Sequence, residues 1–189
     1  VKFQLGYSFN SWSVFGETAT KAGYNEDYLV RTGLCFRNDK GQLLDRFRGR
    51  VMFPIHNQSG RVIGFGGRIL KKDEKTAKYL NSPESEIYQK SKSLYGIFHA
   101  KKAIPQKDNC FLVEGYTDVI SLHQSGIENT VASSGTSLTS EQIRLIGRYT
   151  RNITVLYDGD PAGIKASLRG IDMILQEGLT VKAVLFPDN

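Results

Sequence analysis

Cys110-Phe111-Leu112-Val113-Glu114-Gly115-Tyr116-Thr117-Asp118-Val119 runs from an apolar stretch of strand length, through an acid and a glycine, into the start of a helical period. The same alternation continues to the end of the 189 residues. Strands are predicted over Cys110–Val113, Thr130–Ala132, Ile153–Tyr157 and Val181–Phe186, and helices over Tyr116–Gln124, Ser140–Tyr149 and Ala162–Gln176. Strand and helix in strict succession require right-handed crossovers, hence an α/β architecture with a mainly parallel sheet and helices on both faces.

Working upstream, an amphipathic helix is predicted from about Leu94 to Ile104, and the polar stretch Pro105-Gln106-Lys107-Asp108-Asn109 reads as a border loop. The chain divides there into residues 1–107 and 108–189. The first part has an α+β character. Arg50-Val51-Met52-Phe53-Pro54-Ile55 and Arg61-Val62-Ile63-Gly64-Phe65, joined by Asn57-Gln58-Ser59-Gly60, give a hairpin signal. Gly23 to Cys35 reads as a short helix and a turn, and Asn38-Asp39-Lys40-Gly41 as a turn between strands.

Composition narrows the function classes. Hydrophobic residues at 40% and charged residues at 23% are ordinary for a folded globular chain. No apolar run reaches the roughly 20 residues of a membrane span, and the N-terminal residues do not form a secretory signal, so a cytoplasmic location is expected. Cys35 and Cys110 lie far apart and outside any Cys-x-x-Cys pair, so neither a disulfide framework nor a zinc site is expected. The net charge of +6 is localised: nine basic residues against two acidic ones lie between Arg46 and Lys78, a local excess of +7.

Open parallel sheets bind ligands beyond the carboxyl ends of their strands. Glu114 follows one apolar run there, and Asp158 and Asp160 follow another. These carboxylates are hard oxygen ligands suited to Mg²⁺ and to metal-assisted phosphoryl transfer. Asp160 before Pro161 also reads as a plain helix start, and Asp118 as an acid favoured by the first turn of a helix. Asp118 is held open as a metal ligand or a supporting residue. In Arg46-Phe47-Arg48-Gly49-Arg50, alternation on a strand puts three arginines on one face. Arg68 follows Gly64-Phe65-Gly66-Gly67, where missing side chains let the backbone approach phosphate or sugar. Lys71, Lys72, Lys75, Lys78, Lys90 and Lys92 extend the positive charge, each also readable as a solvated surface lysine.

Together with Lys78-Tyr79-Leu80-Asn81-Ser82-Pro83-Glu84, Leu94-Tyr95-Gly96, Val113-Glu114-Gly115 and Tyr157-Asp158-Gly159-Asp160, these segments resemble, in order, the core of the bacterial DnaG-type primases. The resemblance covers nearly the whole chain. It implies a basic subdomain followed by a Toprim domain, and a template-directed nucleotidyltransferase making short RNA primers from ribonucleoside triphosphates on single-stranded DNA. It further implies Mg²⁺, with Mn²⁺ as a substitute, held by Glu114, Asp158 and Asp160, which carry the catalysis, with Asp118 beside them. Nucleotide and nucleic acid would be bound through Arg46, Arg48, Arg50, Arg68, Lys78, Asn81 and Lys90. Full-length members carry a zinc ribbon, a further acidic pair and a helicase-binding region, none of which is expected within these residues. Thr117 stands where many relatives have methionine. The expected state is a monomer at the replication fork, with a replicative helicase as partner and no membrane. The competing readings are another Toprim phosphoryl transferase, such as a nuclease or topoisomerase, and a non-catalytic nucleic-acid-binding module.

Overall fold

The computed structural model describes residues 2–70, 76–133, 135, 137–157 and 161–185. They fall into two units, Val1–Ile55 with Val62–Gln89, and His56–Arg61 with Lys90–Asn189.

The first unit contains β1 (Gly6–Ser8), α1 (Val14–Lys21), α2 (Glu26–Arg31), β2 (Cys35–Arg37), β3 (Leu43–Asp45), β4 (Arg50–His56), β5 (Val62–Ile69) and β6 (Tyr79–Asn81), with the last residue of β4 belonging to the second unit. One sheet has the order β1-β4-β5-β6, and β2 pairs with β3 in a separate ribbon. The predicted hairpin is β4–β5. Its turn is closed by Asn57, whose Oδ1 accepts from Ser59 N and Arg61 N at 3.0 Å each. Pro54 is tolerated in β4 because β1 pairs only with Arg50 to Met52, so no partner on that side needs its missing donor. Asn25 caps α2 by accepting from Asp27 N at 2.8 Å, while Ala19, Leu29 and Cys35 form a small core beneath the two helices.

One element of this unit was not foreseen, and one expectation is corrected. Helix α1 carries too short a period to stand out in the sequence. Arg46 to Gly49 is a loop rather than a strand, because Gly49 takes a left-handed φ of 59° that breaks the extended run before β4.

The second unit contains a 3₁₀ turn at Lys90–Lys92, α3 (Ile97–Ala100), α4 (Ala103–Lys107), β7 (Cys110–Val113), α5 (Tyr116–Gln124), β8 (Thr130–Ala132), α6 (Ser140–Gly147), β9 (Asn152–Tyr157), α7 (Pro161–Gln176) and β10 (Thr180–Leu185). The sheet runs β10-β9-β7-β8 and all its pairings are parallel, as the alternation requires. Leu112, Val131, Ile143, Ile146, Ile153 and Ile174 fill the core between sheet and helices. The single helix predicted from Leu94 to Ile104 is two short ones. Leu94 and Tyr95 lie outside any helix, with Tyr95 bridged to Ala132, and Gly96 starts α3 at a φ of 84°. The border loop is likewise partly helical. Pro105 sits in the first turn of α4, where a missing N–H costs nothing. Among the described residues no helix is long and apolar enough to cross a membrane.

Candidate functional site

The acidic edge is built by β7 and β9, adjacent and parallel with Leu112 opposite Val155, so both strands end on the same side of the sheet. Glu114 leaves the end of β7 and is exposed. Gly115 follows as the N-cap of α5, and its N–H donates to Asp118 Oδ2 at 2.9 Å. A Cβ on residue 115 would stand 3.1 Å from that oxygen, so glycine leaves room for the carboxylate to fold back on the helix end. Asp118 therefore has one oxygen committed to capping, while Thr117 Oγ1 stands 3.5 Å from the other. Glu114 and Asp118 are hard, exposed oxygen donors at the right edge and suit a divalent cation in kind. Among the described residues they are not joined by a third, and no group of three or more His, Cys, Asp or Glu is assembled. Asp158 and Asp160 lie outside the described residues, as do Lys71, Lys72 and Lys75.

The basic residues of the first unit are held in three ways. Arg46 lies in the loop before β4, half-buried, and its Nε is enclosed with no hydrogen-bond partner among the described residues. Arg48 donates from Nη1 to the Asp45 carbonyl at 2.6 Å and sets its guanidinium carbon over the ring of the exposed Trp12, 3.5 Å from the centroid. Arg50 is only 5% exposed, and its Nη1 donates to the carbonyls of Gly67 and Lys78 at 3.3 and 3.4 Å. Its guanidinium thus braces β5 and the entry to β6. Burial, followed by the charge of Arg48, lowers its pKa. Gly67 makes room for it, since a Cβ there would meet Arg50 Cδ and Phe47 Cδ1 at 2.9 Å.

On β5 and β6, Arg68 pairs with Tyr79 and Gly66 with Asn81, so Arg68, Tyr79 and Asn81 share one sheet face. The Arg68 guanidinium is 5.6 Å from the Tyr79 ring centroid and Lys78 Nζ is 5.9 Å from it, both within cation–π range. The three arginines at 46, 48 and 50 are thus not one row, whereas Arg68 and Asn81 are neighbours on one face. Lys90 belongs to the second unit, in the 3₁₀ turn with Lys92. Neither Trp12 nor Tyr79 stands out as a site residue in the sequence; Tyr79 directly follows Lys78 as the first residue of β6, but Trp12 meets Arg48 only through the fold.

A sequence profile described as the DNA primase catalytic core, N-terminal domain, matches residues 1–101, and a Toprim-like profile matches residues 111–189. The DNA primase of Clostridium acetobutylicum is 45% identical over 188 residues, covering 99% of this chain and 31% of that protein. The DNA primase of Escherichia coli K12 is 41% identical over 190 residues, covering 99% and 32%. The chain therefore spans about a third of the length of these curated relatives. A DNA primase domain from Pseudomonas aeruginosa superposes with a TM-score of 0.89 at 38% identity, covering 100% of this chain and 59% of that one. The E. coli primase catalytic core does so with a TM-score of 0.88 at 41% identity, covering 100% and 60%. A DnaG primase catalytic domain solved bound to single-stranded DNA gives a TM-score of 0.86 at 40% identity, covering 100% and 61%. An N-terminal basic unit, a parallel sheet with Glu114 at its carboxyl edge, and these matches along the whole length identify the chain as a member of the bacterial DnaG-type DNA primases, drawn from their catalytic core.

Proposed function

We propose that this chain is the nucleotide-joining core of a primase, making short RNA primers from ribonucleoside triphosphates on a single-stranded DNA template. The observation that carries the reading is the exposed Glu114 at the carboxyl end of β7, on the edge where β9 also ends. Residues 108–189 would hold divalent metal through Glu114, Asp158 and Asp160, with Asp118 ordering the start of α5 beside them. Mg²⁺ is the natural choice for such oxygen donors, with Mn²⁺ as substitute. A metal bound there supplies charge neutralisation of the triphosphate and a more acidic primer hydroxyl.

The chain's own residues orient the reactants. Residues 1–107 present Arg46, Arg48, Arg68, Lys78 and Asn81 to nucleotide and template, while Arg50 keeps the strands that carry them in register. Arg48 on Trp12 and Arg68 on Tyr79 offer flat, charged surfaces that suit both phosphate and base. Lys90 adds a further phosphate contact. No protein nucleophile is needed. The proposed setting is a cytoplasmic monomer at the replication fork, with a replicative helicase engaging a region outside these residues.

Calorimetric titration of Mg²⁺ with a ribonucleoside triphosphate present tests the reading, comparing the chain with Glu114→Gln and Asp158→Asn. Metal-dependent nucleotide binding that falls at least about tenfold in either variant is expected. Equal binding by all three would leave a nucleic-acid-binding module whose acids only end strands and cap helices.

A further inference from the structure

We infer that Gln142 is a positioning residue that sets the backbone from which Lys90 reaches phosphate; the inference rests on the reading of Lys90 given above. Gln142 is the fully buried polar side chain at N3 of α6, and all of its hydrogen-bonding groups are engaged. Its Oε1 accepts from Thr139 N at 3.2 Å, and Thr139 Oγ1 accepts from Gln142 N at 3.2 Å, which closes a capping box. That duty uses only the amide oxygen, and glutamate would serve it as well. What selects glutamine is its NH₂ group, which donates to Lys90 O at 3.0 Å and to Ser93 O at 2.8 Å. Thr139 Oγ1 donates in turn to Ser91 O at 2.5 Å. The carbonyls of residues 90, 91 and 93 are therefore all held from the N-terminus of α6.

The far side of the same segment is fixed by Tyr95, which exchanges backbone hydrogen bonds of 2.9 and 3.0 Å with Ala132, the last residue of β8. Strand β8 is parallel to β7, so this anchor lies on the carboxyl edge from which Glu114 emerges. The lysine turn is thus locked by α6 on one side and by β8 on the other, at the edge where the triphosphate is proposed to sit. A lysine ammonium rides on a flexible four-carbon stem, and only a fixed root confines where it reaches. Fixing that root before binding lowers the ordering cost of each phosphate contact.

The test uses the 189-residue chain with two probes, a labelled single-stranded DNA oligonucleotide followed by anisotropy and ATP followed by calorimetry, at several salt concentrations. Lys90→Ala is expected to weaken at least one probe about three- to tenfold, and for DNA to reduce the salt slope by about 0.7. Gln142→Met should weaken the same probe by a similar factor, and the double variant should be no weaker than Lys90→Ala. A Gln142→Met protein that binds like wild type, or that weakens the Lys90→Ala background as much as the wild-type one, overturns the proposal by making the glutamine a general support of the fold. Lys90→Ala binding both probes like wild type withdraws the phosphate role of Lys90, and the inference with it, on that variant alone. If Gln142→Met does not fold, Gln142→Glu read between about pH 5 and 8 decides. A buried carboxylate facing carbonyl oxygens repels them, whereas its protonated form donates to one of them. Affinity relative to wild type should therefore recover as pH falls, and a ratio constant across that range sinks the idea.

Discussion

The carboxylate of Asp45 takes two of the N–H groups that open α1, Phe15 N on Oδ2 and Gly16 N on Oδ1, both at 2.8 Å. Ser13, the N-cap of that helix, makes no side-chain capping bond, so the cap comes from the end of β3. Asp45 is 3% exposed, and a buried carboxylate survives only because these donors and the positive end of the helix compensate it. The same oxygen that receives Gly16 N lies 3.9 Å from Cys35 Sγ, and burial, reinforced by that carboxylate, pushes the thiol up to about 11. Gly16 fits tightly in this corner, since a Cβ would approach Leu43 Cδ2 at 3.1 Å. Replacing Asp45 by alanine leaves the buried Gly16 N–H and the half-buried Phe15 N–H without their acceptor, and should cost about 1–3 kcal/mol in urea unfolding. A loss below about 0.5 kcal/mol would show that water or another acceptor serves the helix end equally well.

At the scale of elements, the start of α3 turns on Gly96. Its φ of 84° is left-handed, and a Cβ would lie 2.8 Å from Val119 Cγ1 and 3.0 Å from the Thr130 carbonyl. Gly96→Ala should therefore destabilise the chain by about 2 kcal/mol or more, the backbone penalty alone being about 1–2 kcal/mol. A wild-type unfolding midpoint by far-ultraviolet circular dichroism would contradict this. The apolar spacing of Leu94, Ile97 and Ile104 conceals the break, because all three point into the core whether the helix is one piece or two. The parallel sheet was legible for the opposite reason. Strands buried on both faces read as unbroken apolar runs, and β7, α5 and β8 have the bounds that the residues imply. The edge carrying Glu114 follows from that topology alone. The loop at Arg46 to Gly49 was not legible, since alternating residues occur in loops too and one glycine φ decides between them. The stacking of Arg48 on Trp12 and the face shared by Arg68 and Asn81 depend on pairing between distant segments, which no local pattern carries.

At the scale of the whole molecule, stability should depend on pH through the hairpin tip. His56 is buried, stacked on Phe98 at 5.9 Å and edge-on to His99 at 5.3 Å, and burial lowers its pKa. Lys101 adds positive charge nearby, with Nζ 4.6 Å from the Phe98 centroid and donating to Gln58 O at 2.7 Å. The unfolded chain takes up this proton near pH 6.5, before the folded one does, so stability is full above about that pH and falls as pH drops through the depressed value. A His56→Phe protein, which keeps the ring, should show a flatter dependence of Tm between about pH 7 and 5 than wild type, and parallel curves would remove His56 from the account. The cap on α1 has a consequence in time as well. The chain is synthesised from its N-terminus, so Asp45 is added 29 residues after Gly16. At about 5–20 residues per second that is a delay of roughly 1.5–6 s. An eight-residue helix is marginal in water on its own, so over that interval Gly16 and Ala19, which the folded unit buries, lack the contacts that α1 gives them. The helix is thus expected to consolidate only once the aspartate that caps it has emerged.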